Sequence, residues 1–118
     1  MKIKFSNGRE LPIIMCYNHG TRFIKGETRN CREIVLADGV IGLDGLKALL
    51  TEPANLSVIE VIGVDGEAEI LENFVYADEI KDKLNGEIWF AIGEKSALEL
   101  ENEEAMQVID ELLIAMEV

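Results

Sequence analysis

The chain has 118 residues, of which 48% are hydrophobic and 29% are charged, and its formal net charge at pH 7 is −12. This composition is typical of a folded globular protein and excludes an intrinsically disordered chain. The length predicts one domain, residues 1–118, with enough apolar surface for a core of its own. The strong negative charge disfavours direct nucleic-acid binding, because phosphates are bound by Lys and Arg.

The sequence predicts no contact with a membrane. No apolar run approaches the roughly 18 residues of a membrane-spanning helix, and the first residues alternate in polarity and lack the apolar stretch of a signal peptide. The two cysteines, Cys16 and Cys31, are expected to be free thiols in a reducing compartment. We therefore expect the protein in the cytoplasm of a host cell or in a virion.

The charges are unevenly distributed along the chain. Residues 1–33 carry seven Lys and Arg against three Glu, a net charge of +4, whereas residues 34–118 carry four cations against twenty anions, a net charge of −16. A solvated surface explains this split without any partner. The alternative is head-to-tail association of two copies, with the basic face of one on the acidic face of the other.

The N-terminal region has the pattern of a β-hairpin. Residues 2–5 alternate polar and apolar side chains, and Asn7-Gly8 suits a type I′ turn. The return strand is predicted over residues 10–17, and Pro12 favours an edge strand or a bulge because it has no N–H to donate. Residues 18–20 form a second break.

The next segments lead to the first helix. Residues 22–26 suit a short strand or a loop, and residues 31–37 suit a strand that ends at Asp38-Gly39. A helix is predicted over residues 43–51, where Leu43, Leu46, Leu49 and Leu50 share one face. Pro53 predicts its end.

The most apolar stretch, residues 56–92, predicts an antiparallel meander of three or four strands. Asp65-Gly66 and Asn85-Gly86 provide turns. Residues 88–92 are apolar on both faces, which predicts a central or doubly covered strand. Residues 74–84 leave two interpretations open, a strand or a helical turn near residues 78–84.

A second helix is predicted over residues 103–117, with Asn102 as its N-cap. The alternation of Leu98 and Leu100 with glutamates suggests a short strand before it. The helix carries a wide apolar stripe: Ala105, Ile109, Leu112, Leu113 and Met116. Such a stripe packs against the sheet of its own chain or, in part, against a second chain. The predicted fold class is thus α+β, with a mainly antiparallel sheet of about six to eight strands and two helices.

No arrangement of residues predicts catalysis. Cys16, His19 and Cys31 offer three soft ligands, but a structural zinc site needs four, usually as two close pairs. A cysteine–histidine dyad needs a geometry that spacing does not indicate. Trp89 and Phe90 are expected in the core. The sequence therefore predicts a non-enzymatic protein with no catalytic residue, no cofactor and no metal site.

The order of elements resembles that of a known group. The relevant segments are Lys-Ile-Lys-Phe-Ser-Asn-Gly at residues 2–8, residues 22–26, Thr28-Arg29 before Ile34 and Leu36, residues 43–50 before Leu56, Tyr76, and the C-terminal apolar helix. This order is similar to that of small uncharacterised proteins encoded by phages and prophages of gut Firmicutes, often near tail and host-interaction genes. The resemblance implies a phage context and transfers no catalytic or binding residue.

These observations favour a structural or assembly protein whose partner is another protein or a second copy of itself. The resemblance implies that it is a component of a tail module. The predicted interface residues are Arg22, Arg29, Arg32, Leu112, Leu113 and Met116. The alternative is an acidic inhibitor that imitates DNA phosphates and blocks a nucleic-acid-binding enzyme of the host. The basic N-terminal third disfavours that alternative.

Overall fold

The computed structural model describes residues 1–116, without the side chains of His19, Asp110 and residues 113–116. It contains eight strands: β1 (Lys2–Lys4), β2 (Glu10–Pro12), β3 (Met15–Ile24), β4 (Glu27–Leu36), β5 (Val58–Ile62), β6 (Ala68–Glu72), β7 (Tyr76–Asp82) and β8 (Ile88–Gly93). The helices are α1 (Leu43–Thr51), a 3-10 turn (Pro53–Leu56) and α2 (Ala97–Met116). The fold is mixed α+β with mainly antiparallel sheet, as the sequence predicts.

The strands form two antiparallel sheets of four strands each. The order in the first sheet is β2-β1-β5-β6, and the order in the second is β3-β4-β8-β7. Strand β8 lies between β4 and β7, which confirms the prediction of a central strand. Strand β2, which contains Pro12, is an edge strand, so its missing N–H interrupts no ladder.

The predicted meander over residues 56–92 is wrong as a single unit. Its four strands form two hairpins, and β5–β6 belongs to the first sheet whereas β7–β8 belongs to the second. The long-range partners decide this division: Ile3 pairs with Val61, and Ile34 pairs with Phe90. The segment left open at residues 74–84 is strand, with an irregular register between Ala77 and Ile80.

The predicted return strand over residues 10–17 is also divided. The chain leaves the first sheet after Pro12 and enters the second at Met15. The predicted break at residues 18–20 is a register shift inside β3, between Asn18 and Thr21. Strand β3 therefore continues past this irregularity, since its partner β4 also continues.

The type I′ turn lies at a different hairpin from the predicted one. At the β1–β2 turn only Gly8 has a positive φ, of 89°, and Asn7 does not. Lys25 and Gly26, which join β3 to β4, both have positive φ, of 48° and 83°. Two consecutive residues with positive φ between paired strands form a type I′ turn, whose backbone twist matches the twist of the two strands of a hairpin. Residues 22–26 are thus a strand end and a tight turn.

One hydrophobic core lies between the sheets and α1. Its members come from the first sheet (Ile3, Leu11, Ile59, Leu71), from the second (Ile34, Leu36, Phe90, Ile92) and from α1 (Leu46, Leu49, Leu50). Alternate residues of each strand point into the core, since side chains of a strand alternate between faces. The bounds of α1 are as predicted, and Leu46, Leu49 and Leu50 face this core, whereas Leu43 is 44% exposed.

Helix α2 differs most from its prediction. It begins at Ala97, so residues 98–100 are helical and do not form a strand, and Asn102 is inside the helix. The N-cap is Ser96: its Oγ accepts from the Glu99 N–H at 3.2 Å, and the Glu99 carboxylate accepts from the Ser96 N–H at 2.9 Å. This reciprocal pair is a capping box.

The molecule is elongated, with extents of 60 × 28 × 28 Å and a radius of gyration of 16.7 Å. A compact chain of this length would have a radius of roughly 13–14 Å. Helix α2 accounts for the difference, because the described side chains from Glu101 to Leu112 are all exposed. No helix in the described part of the chain has the length and apolarity needed to span a membrane.

Candidate interaction surface

The root of α2 is held by a buried arginine. Arg29 lies on β4 and is only 3% exposed, which is unusual for a cation. Its guanidinium donates to three backbone carbonyls and two carboxylates: Ile24 at 2.8 Å, Glu94 at 3.3 Å, Lys25 at 3.5 Å, Glu27 at 3.3 Å, and Glu99. All five N–H donors are therefore used, and the charge is balanced where water cannot solvate it.

Glu99 connects this arginine to α2. Besides Arg29, its carboxylate accepts from the Tyr76 hydroxyl at 2.5 Å and from the Ser96 N–H. The hydrogen bond from Arg29 holds the pKa of Glu99 far below its ordinary value near 4.5. The same carboxylate raises the pKa of Tyr76, because it favours the phenol that donates to it. The guanidinium of Arg29 also lies over the Tyr76 ring, 3.9 Å from its centroid.

Protonation of Glu99 is expected to weaken the fold in acid. A folded-state pKa below the unfolded value contributes stability that is fully present above the unfolded pKa and is lost as the pH falls toward the folded pKa. We expect the free energy of unfolding of the wild type to fall below about pH 5, and more steeply than that of Glu99→Gln. Urea unfolding at a series of pH values, followed by Trp89 fluorescence, measures both curves.

The matched control is Glu101→Gln, because Glu101 is exposed and has no ion pair with another described residue. Its pH dependence should follow that of the wild type. Parallel curves for Glu99→Gln and the wild type would show that Glu99 is not a source of the acid sensitivity.

Beyond its root, α2 presents several apolar side chains to solvent. The described members of this exposed stripe have 55–66% of their surface accessible: Leu98, Met106, Val108, Ile109 and Leu112. Between residues 97 and 116 there are six carboxylates and no Lys or Arg. A contiguous exposed apolar patch with a polar border is typical of protein–protein contacts.

The three predicted interface arginines each have acidic partners within the chain. Arg22 lies 3.3 Å from Glu33, 3.3 Å from Asp78 and 3.5 Å from Glu79. Arg32 contacts Glu69 through both terminal nitrogens, at 3.3 and 2.5 Å, and Arg29 is buried as described. Each charge is thus compensated inside the fold. A contact of these arginines with another chain stays a prediction.

Of the predicted apolar interface residues, Leu112 is exposed on α2. The side chains of Leu113 and Met116 lie outside the described residues. The sequence placed Leu112 on the apolar stripe, and the structure shows that no described part of the chain covers it.

An apolar groove lies between the C-terminal end of α1 and β7. Its volume is about 690 Å³. Leu50, Pro53, Val75, Ala77 and Ile80 form its floor, and Lys25, Lys47 and Lys95 lie at its rim. We call this feature the lysine-rimmed groove. Three ammonium groups around one apolar surface are notable in a chain of net charge −12, and they fit an apolar ligand or segment that carries carboxylates.

The lysines of this groove differ in their pairing. Lys95 contacts Glu103 at 2.7 Å, in the first turns of α2. Lys25 and Lys47 are exposed, and neither forms an ion pair with any other described residue. Asp78, which also lines the groove, is paired with Arg22. Two cations at the rim are therefore available to a partner.

The outer face of the second sheet carries an aromatic pair. Phe90 is in the core as predicted, but Trp89 points to the opposite face and is half-buried. Its ring stacks on Tyr17 with centroids 5.9 Å apart, and the ammonium of Lys83 lies 4.8 Å from its centroid. The alternation of strand residues was a signal for this placement, since Ile88, Phe90 and Ile92 share the inner face.

The two thiols are packed in the second sheet. Cys31 is buried and Cys16 is half-buried, and burial raises the pKa of both, so that each stays protonated at neutral pH. The described residues contain no group of three His, Cys, Asp or Glu placed to hold a metal ion. The side chain of His19 lies outside the described residues.

Comparison of the chain with protein-family models, with curated protein sequences and with the solved structures found no match.

Proposed function

We propose that this chain is a non-enzymatic structural or assembly protein that acts through protein–protein contacts, as a component of a phage or prophage tail module. The observation that carries the proposal is α2, which extends from the body with its apolar side chains exposed. The sequence resemblance supports the phage context, in the host cytoplasm or in a virion.

The exposed stripe supplies a driving force for association. Burying a Leu, Ile or Met side chain contributes about 1.5–3 kcal/mol relative to leaving it in water. The stripe offers several such side chains, each more than half exposed in the isolated chain. Because Arg29 and Glu99 fix the root of α2, the helix leaves the body in a defined direction. A preorganised helix loses less entropy on binding than a flexible tail does.

The expected effect of Leu112→Glu is a loss of self-association. A carboxylate within the stripe would have to be buried without a partner, which is costly. We expect the wild type to self-associate at micromolar concentration and the variant to bind at least about tenfold more weakly. Light scattering and sedimentation velocity at low and high salt measure the mass of both proteins.

Leu84→Glu is the matched control, because Leu84 is fully exposed in the β7–β8 turn and undergoes the same chemical change away from α2. It should associate as the wild type does. A wild type that stays monomeric throughout the micromolar range at both salt concentrations would remove the case for self-association.

A second candidate function is an acidic inhibitor that imitates DNA. The observation that favours it is again on α2, where Glu101, Glu104 and Glu111 are exposed and no cation of the same helix offsets them. Displacement of DNA from a basic DNA-binding protein tests this role. An inhibitor should lose displacement when these three acids are changed to glutamine and keep it in Leu112→Glu. An assembly protein should displace no DNA in any of these forms and should lose self-association in Leu112→Glu.

A further inference from the structure

We infer that α2 of one copy docks into the lysine-rimmed groove of a second copy, with its apolar side chains on the groove floor and its carboxylates against Lys25 and Lys47. This inference rests on the proposed function, since it names the partner surface for the exposed stripe.

The apolar parts of the two surfaces match. An amphipathic helix in a groove is recognised by anchors at positions i, i+3, i+4 and i+7. Ala105, Val108, Ile109 and Leu112 have this spacing, so they lie on one side of α2. The groove offers a floor of aliphatic side chains from α1 and β7, in a volume typical of sites that enclose several apolar groups.

The charges next to these surfaces are also complementary. Glu101 and Glu104 precede Ala105 and Val108 by four residues, so they lie on the same side of α2 as those two anchors. Both are exposed and have no ion pair with another described residue. Lys25 and Lys47 are the exposed, unpaired cations of the groove. Docking would therefore place two carboxylates near two ammonium groups that lack partners in the isolated chain.

Pairing of α2 with α2 of another copy is less favourable. It would bring together two helices that carry six carboxylates each and no cation between residues 97 and 116. Arg22, Arg29 and Arg32 cannot offset that charge without leaving their own partners. The groove, by contrast, combines apolar side chains with Lys25 and Lys47, which form no ion pair with another described residue.

The contact has to join two molecules. Helix α2 begins two residues after Lys95, which lines the groove, and its described side chains from Glu101 to Leu112 are exposed and so do not fill the groove of their own chain. The groove and the stripe of one chain are therefore occupied by different molecules or by one partner that exchanges helices. Reciprocal exchange closes a dimer, and one-way docking gives an open chain of copies.

A pair of charge-reversed proteins tests the contact. The groove variant is Lys25→Glu/Lys47→Glu, and the helix variant is Glu101→Lys/Glu104→Lys. In each variant alone the helix and the groove carry like charges, so self-association should weaken by about tenfold or more. In an equimolar mixture every helix meets a groove of opposite charge, and association should return to the wild-type strength. Sedimentation velocity of each protein and of the mixture measures this.

Lys4→Glu/Lys83→Glu is the control, because it changes the net charge equally at lysines outside the groove and should retain association. A groove variant that associates as tightly as the wild type, while Leu112→Glu does not associate, would overturn groove docking and leave assembly through α2 in place. Failure of the mixture to recover would also overturn it. A monomeric wild type would reject both this inference and self-association.

Discussion

Replacing Arg29 with alanine is expected to lower the free energy of unfolding by about 3–5 kcal/mol, the range found when one partner of a buried ion pair is removed. The loss has an identifiable source. Arg29 is 3% exposed, and its removal leaves carbonyls of the β3–β4 turn and two carboxylates without their donor. The remaining negative charges of Glu27 and Glu99 would then face each other across the vacated space.

The same substitution should loosen α2 at its root. Glu99 joins the first turn of α2 to β4 through Arg29 and to β7 through Tyr76. Without the guanidinium, only the phenol and the Ser96 cap hold that carboxylate. We expect faster amide hydrogen exchange in the first turns of α2 than in the strands, together with the lower urea midpoint. Arg29→Lys should recover little, because three donors on a point charge cannot satisfy five acceptors in a fork geometry.

The comparison for Arg29 is Arg32→Ala. Arg32 also lies on β4 and also contacts a glutamate, but that glutamate, Glu69, is exposed. Exposed ion pairs contribute about 0–1 kcal/mol, so the two alanine variants should differ by several-fold in their effect on unfolding. Equal losses in the free energy of unfolding would mean that the burial of Arg29 does not increase its contribution to stability.

The pairing of Arg22, Arg29 and Arg32 explains the charge asymmetry of the sequence. All three lie on the β3–β4 hairpin, in the basic first third of the chain. Their carboxylate partners include Glu69, Asp78 and Glu99, from the acidic remainder. In the second sheet β8 lies between β4 and β7, and Glu69 reaches Arg32 from β6 of the first sheet, so charges that are separated along the chain meet in the fold. Intramolecular pairing therefore accounts for these arginines, whereas Lys25 and Lys47 in the groove stay available to a partner.

Local signals in the sequence located most of the elements. Leucine spacing and Pro53 defined α1, and Asp65-Gly66 and Asn85-Gly86 identified two hairpins, because such features depend on residues close in the chain. The division of residues 56–92 between two sheets was not predictable in the same way. It depends on whether a hairpin pairs with β1 or with β4, and both partners are distant in sequence.

The candidate surface was also predicted only in part, because some of its features depend on neighbouring residues and others depend on the tertiary fold. The spacing of Ile109 and Leu112 identifies the stripe, and Ser96-Ala-Leu-Glu99 is a readable capping box that gives the true start of α2. The lysine-rimmed groove had no sequence signal. Lys25, Lys47 and Lys95 come from a turn, a helix and the segment before α2, and only the packing of α1 against the second sheet brings them together.

Phe90→Ala is expected to destabilise the protein by about 3–5 kcal/mol, the usual cost of removing a buried aromatic ring. Phe90 is 1% exposed in the central strand β8, and the core around it receives side chains from both sheets and from α1. Phe23→Ala is the matched control: Phe23 is 73% exposed, so the same truncation there should change stability by less than about 0.5 kcal/mol.

Whether the two sheets of Phe90→Ala unfold together tests the shared core more sharply than the size of the loss in free energy of unfolding does. Because first-sheet residues such as Ile3 and Ile59 pack in the same cluster as Phe90, the cavity should weaken both sheets together. Unfolding followed by Trp89 fluorescence, which reports the second sheet, should then coincide with hydrogen exchange of β1 and β5 in the first. If the first sheet kept wild-type protection while Trp89 became exposed, the two sheets would have independent cores, and the hydrophobic cluster between them would contribute little to their association.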